Sequence, residues 1–87
     1  MEQIEWSDQA IQQLIDLAAQ SRPQAARVHR ALREHTQTGR GDVKKLEGAL
    51  AGQWRLRAGD WRVSFRRLDG GRISVVSILN RRDAYDD

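Results

Sequence analysis

Apolar and polar positions alternate on both sides of the dipeptide Gly59-Asp60. Trp54, Leu56 and Ala58 interleave with Arg55 and Arg57; beyond the dipeptide, Trp61, Val63 and Phe65 interleave with Arg62, Ser64 and Arg66. Period-two alternation flanking a Gly-Asp pair predicts a tight β-hairpin with strands over about 54–58 and 61–68. A two-residue loop sets Ala58 opposite Trp61, Arg57 opposite Arg62, Leu56 opposite Val63 and Arg55 opposite Ser64. Apolar residues then meet apolar residues, which supports the register. A third strand is predicted over about 72–79 after a turn at Gly70-Gly71, with Phe65 opposite Val76 and Val63 opposite Ile78. Its run "RISVVSIL" is apolar on both faces, as a central strand requires.

The N-terminal half reads differently. Residues 2–6 alternate briefly and predict a short strand. Ser7 is a candidate N-cap for a helix over about 8–20 whose apolar face is Ile11, Leu14, Ile15 and Ala18. Ser21 and Gln24 stand at capping-box spacing with Pro23 between them, so a second helix runs from about 22 to 37. Ala25, Val28, Ala31 and Leu32 form its stripe, and Thr38-Gly39 ends it. Residues 39–53, rich in glycine, read as a loop. The expected architecture is one α+β domain over residues 1–87. Two helices pack on one face of a small antiparallel sheet, made of the short leading strand and a three-stranded meander. The helices are expected over Val63, Phe65, Val76 and Ile78. Arg55, Arg57, Arg62, Ser64 and, beyond Leu79, Arg81 are left on the other face.

Charge sharpens that picture. The 87 residues carry a net +3, but residues 1–21 hold four acids and no Lys or Arg, while all 15 basic residues lie beyond them. A folded domain with one basic face suits a polyanion partner. There is no cysteine, and the start "MEQIEW" has neither a basic n-region nor an apolar run. A cytoplasmic protein without a membrane partner is therefore expected.

The candidate chemistry centres on the arginines. Arg57 opposite Arg62 places like charges together, which destabilises a sheet. Such a broken local rule points to function, and guanidinium groups are shaped for bidentate contact with phosphate. If the tail "NRRDAYDD" folds back over this face, the Tyr85 phenol sits among cations that favour its ionised form, making it a candidate acid or base. His29 and His35, six apart on the second helix, do not share a face as i, i+4 ligands do and are assigned to surface or capping roles. No HExxH, paired-carboxylate or P-loop pattern is present, so no metal site is expected. The tripeptide Arg40-Gly41-Asp42 reads as a turn. Lys44 and Lys45, in "GDVKKLEG", are placed beside the basic face as phosphate-backbone contacts.

The segments "GDVKKLEG", "WRLRAGDWRVSF" and "ILNRRDAY" resemble the RelE/ParE superfamily of type II toxin–antitoxin toxins, and more closely its RelE branch, from about Ile4 to Tyr85. The resemblance implies a RelE-like fold and a ribosome-dependent mRNA endoribonuclease restrained by a cognate antitoxin. It implies metal-independent cleavage without a cofactor, in which the ribose 2′-hydroxyl attacks its own phosphate. Carried over by position, Arg55, Arg57, Arg62, Arg81 and Tyr85 are the catalytic set: Arg62 stabilises the phosphorane charge and Tyr85 takes the 2′-hydroxyl proton or stacks on a base. Lys44, Lys45, Arg66 and Arg82 are implied RNA contacts, and alternation favours Arg81 over Arg82 for the reacting phosphate. Leu79-Asn80 stand where many relatives have Gly-His, so a histidine acid or base is absent there. The alternative is a ParE-like, non-enzymatic gyrase inhibitor on the same fold.

Overall fold

Ser7 determines how the first helix meets the sheet. Its hydroxyl accepts from the Ala10 N–H at 3.0 Å and donates to the Val76 carbonyl at 2.9 Å. One side chain thus caps a helix and ties it to a strand. The computed structural model describes residues 3–84. Its elements are β1 (Ile4–Trp6), α1 (Asp8–Gln20), α2 (Arg22–Thr38), β2 (Asp42–Lys45), β3 (Trp54–Ala58), β4 (Trp61–Arg67) and β5 (Ile73–Asn80). Short 3-10 turns cover Gly48–Leu50 and Asp69–Gly71. Ser21 ends α1 and starts α2: its N–H donates to the Leu17 carbonyl and its hydroxyl accepts from the Gln24 N–H. Gly39, at φ 78°, closes α2 in the left-handed region that glycine enters without steric cost.

The strand order is β1-β5-β4-β3-β2, with β1 parallel to β5 and the other neighbours antiparallel. The α+β class is as expected, but the meander has four strands rather than three. Asp42–Lys45, expected as loop, pairs with β3, Val43 standing opposite Leu56. This edge strand has a single apolar residue, too little for a period-two signal.

The β3–β4 register follows the expected pairs throughout. On β5 the expectation holds for Val63 opposite Ile78 and fails for Phe65, which pairs with Val75 rather than Val76 because the register shifts after Ser64. Val76 is the extra residue of a β-bulge. Its carbonyl accepts from Ser7, and the next free donor, the Ile78 N–H, donates to Gln13 Oε1 at 2.6 Å. Because β1 stops at Trp6, α1 covers the remaining edge of β5 with these two polar contacts.

The bulge turns Val75 instead of Val76 into the core, which also holds Val28 and Leu32 of α2 and Leu56, Val63, Phe65, Ile73 and Ile78 of the sheet. The α2 stripe packs as expected. The α1 face is corrected: Ala10 and Leu17 are buried with Leu14 and Ala18 against them, whereas Ile11 and Ile15 are 44% and 55% exposed. Small Ala10 suits a helix start held against β5 by Ser7, and this contact sets the rotation of α1 in place of its most apolar stripe.

Candidate active site

Arg55, Arg57, Arg62 and Ser64 share the sheet face turned away from the helices, joined by Ser77 and Leu79 of β5 through the pairs Ser64–Ser77 and Arg62–Leu79. Long cations on an open face would normally extend into water. Arg57 is exposed, but Arg55 and Arg62 are only 7% and 5% exposed. With Leu46, Ser64, Ser77, Leu79 and Ala84 they line a recess over the middle of the sheet.

Each buried arginine is held by acceptors nearby. Arg62 Nη1 donates to the Gly59 carbonyl at 2.8 Å and to the Trp61 carbonyl at 3.3 Å, so its guanidinium turns toward the hairpin tip. Arg55 Nη1 donates to the Asp42 carbonyl at 3.2 Å and lies 3.4 Å from Asp42 Oδ1. The other carboxylate oxygen, Oδ2, is 3.5 Å from Arg57 Nη1. Asp42 reaches both because β2 pairs it with Arg57. Beneath the arginines, the Ser64 and Ser77 hydroxyls bond to each other at 2.5 Å.

The hairpin tip is fixed from α2 as well. Trp61 Nε1 donates to Gln24 Oε1 at 2.6 Å, and Arg27 lies so close to Gly59 that a Cβ there would come within 2.9 Å of its Nη1. Gly59 also has φ 63°. The positive φ therefore favours glycine at the turn whose carbonyl orients Arg62, while the Arg27 contact involves only the tip of a flexible side chain.

The remaining candidates separate. Arg81 is at the same hairpin tip: its N–H donates to the Asp60 carbonyl at 2.8 Å and its Nε is 3.8 Å from Asp60 Oδ1. Strand alternation does not distinguish Arg81 from Arg82, because β5 ends at Asn80 and residues 81–83 form a turn. Asn80 caps it, accepting from the Arg82 and Asp83 N–H groups, and both arginines are exposed. Lys44 pairs with Arg55 on the arginine face. Lys45 does not lie there: it pairs with Trp54 on the helix side, its Nζ 5.9 Å from the Trp54 ring. Arg66 is exposed on the arginine side of β4, near Gly52. Tyr85, with Asp86 and Asp87, lies outside the described residues.

His29 lies at the surface as expected, whereas His35 departs from the expected surface or capping role because α2 turns it into the core. His29 stacks on Trp6 at 6.2 Å between ring centroids. His35 is buried against Phe65 and donates from Nδ1 to the Arg40 carbonyl, so Nε2 is the acceptor for Arg67 Nη1. Among the described residues no three His, Asp or Glu side chains are grouped to hold a metal ion, and no helix is long and apolar enough to cross a membrane.

Sequence reasoning missed Asp42, Ser77 and Leu46 as members of the site. Ser77 was within reach, since the register that sets Val63 opposite Ile78 also sets it opposite Ser64. Asp42 needed β2, which left no readable pattern.

Residues 4–85 match the model of a family described as the ParE toxin of type II toxin-antitoxin system, parDE. Solved structures share the fold. A YoeB/ParE toxin from Agrobacterium tumefaciens superposes with TM-score 0.78 at 17% identity, over 91% of this chain and 98% of that one. The YoeB-YefM complex from Staphylococcus aureus gives 0.75 at 20% identity, over 86% and 91%. The RelBE2 toxin-antitoxin complex from Mycobacterium tuberculosis gives 0.65 at 25% identity, over 90% and 95%. No curated protein matches the chain significantly by sequence.

Proposed function

The chain belongs to the ParE toxin family of type II toxin–antitoxin systems, and on that premise we propose that it acts as an endoribonuclease on mRNA held in the ribosome. The observation that carries this reading is the pair of buried arginines, Arg55 and Arg62, lining one recess on the sheet face turned away from the helices. Such a place favours an anion, because desolvated guanidinium groups bind phosphate oxygens more strongly than exposed ones do.

In the proposed reaction the ribose 2′-oxygen forms a bond to phosphorus and the bond to the 5′-oxygen breaks. The products are a 2′,3′-cyclic phosphate and a 5′-hydroxyl. Arg62 and Arg55 hold the non-bridging oxygens as charge builds on them. Arg57 and Arg81, at the rim, orient the strand, and Tyr85 takes the 2′-hydroxyl proton. Water returns a proton to the departing 5′-oxygen. Lys44, Arg66 and Arg82 contact the RNA backbone; Lys45, on the far side of β2, serves a more distant stretch of RNA. A cognate antitoxin restrains the toxin by covering the arginine face with acidic side chains, a role consistent with the toxin-antitoxin complexes among the structures of this fold. Brief induction followed by mapping of mRNA 5′ ends tests the reading: new ends inside coding regions support it, and growth arrest with intact mRNA refutes it.

The family description favours a second reading, a ParE-like gyrase inhibitor that uses the basic face without cutting RNA. DNA breaks trapped on gyrase, with mRNA intact, would establish it.

A further inference from the structure

Two hydroxyls lie on the floor of the recess, and their hydrogens do not balance internally. Ser64 and Ser77 are each 7% exposed and bonded to each other. Two hydroxyls bring two protons, and their mutual bond uses one. The second proton has no acceptor among the hydrogen bonds of the described residues, and it lies in a recess lined by Arg55 and Arg62. Two flanking cations and a spare donor select a negatively charged acceptor. The enclosed space admits about one water-sized atom. A whole phosphate is too large for it, but one phosphoryl oxygen is not.

We infer that the Ser64–Ser77 pair forms a single-oxygen anion site: one non-bridging oxygen of a phosphate enters the recess and accepts the spare serine proton between Arg55 and Arg62. This rests on the nuclease reading for the identity of the phosphate as RNA, but the site itself requires only a phosphoryl group. It assigns the serines a direct contact with the reacting group, fixing which oxygen points inward while the rim arginines hold the others. Apolar Leu46, Leu79 and Ala84 complete the lining and keep competing water away.

The test is a titration of the purified full chain with inorganic phosphate, followed by amide NMR shifts and repeated with a Ser64→Ala/Ser77→Ala double variant. Replacing both serines removes both partners of their mutual bond and leaves no orphaned hydroxyl, so the fold is retained. Thermal melting checks this. Ser77→Cys, similar in size but a weak donor, is a second variant that does not depend on the first. The expected result is phosphate-dependent shifts at Ser64 and Ser77 in the wild type, and affinity at least about tenfold weaker in both variants. Equal affinity in the wild type and either folded variant overturns the inference, as do shifts confined to the exposed Arg57 and Arg81. Phosphate binding at the serines by a chain that leaves ribosomal mRNA uncut would remove the nuclease reading and keep the site. Cleavage by a chain whose double variant binds phosphate unchanged would do the reverse.

Discussion

Arg57 and Arg62 stand directly opposite each other on β3 and β4, yet their guanidinium groups are drawn in different directions. Arg62 turns to the Gly59 and Trp61 carbonyls, and Arg57 to Asp42 on the neighbouring strand. The like-charge pair that looks costly in the sequence is therefore relieved within the fold. It keeps one cation buried and the other in water, which suits a site with an inner anion-binding group and an outer one.

Asp42 sets how positive that face is. Its side chain is 61% exposed and that of Arg57 is 46% exposed, so their ion pair is well solvated, and the buried Arg55 keeps its bond to the Asp42 backbone carbonyl when the carboxylate is replaced. Asp42→Asn should change stability by less than about 1 kcal/mol. It should tighten non-specific RNA binding at low salt, with the gain lost near about 0.5 M salt. Urea unfolding and filter binding across a salt series measure the two effects.

Gly59→Ala should cost about 1–3 kcal/mol, from a side chain at φ 63° and from its contact with Arg27. A cycle with Arg27→Ala separates the causes by urea unfolding. Removing Arg27 should relieve the steric part and leave the backbone part, giving a coupling of about 0.5 kcal/mol or more. Strict additivity would show that Arg27 simply moves aside.

Gln13→Leu should destabilise the chain by about 1–3 kcal/mol although Leu is the better helix former, because the Ile78 N–H loses its acceptor. An unchanged denaturation midpoint would mean that the bulge does not depend on α1.

These three sites show what the sequence makes legible. The β3–β4 hairpin, its register and the opposed arginines follow from alternation and one turn dipeptide, because side-chain period and register are locked together in a two-residue hairpin. The bulge at Val76 could not be located in this way: Val75 and Val76 are equally apolar, and the contacts choosing between them come from Ser7 and Gln13, some seventy residues away. The rotation of α1 was hidden for the same reason, since Ile11 and Ile15 form the more apolar stripe while the polar contacts of Ser7 and Gln13 hold the Ala10–Leu17 face inward. Four charged-flanked residues, Asp42–Lys45, become a strand only because β3 offers an edge.

Phe65 packs between the helices and the sheet at 0% exposure. Phe65→Ala should cost about 3–5 kcal/mol, a large share of the roughly 5–15 kcal/mol available to a small domain. Circular dichroism should show a large loss of thermal stability. Loss of toxicity in this variant should parallel that loss of fold, in contrast to substitutions on the arginine face.

The most direct test of the central claim uses purified ribosomes programmed with a defined mRNA, comparing the wild type with Arg62→Gln after thermal melting has shown both to be folded. The wild type should cut the mRNA within the coding sequence, leaving a 2′,3′-cyclic phosphate, and Arg62→Gln should slow the cut by about a hundredfold or more. Intact mRNA with the wild type, or equal cleavage by the folded Arg62→Gln variant, would contradict that claim.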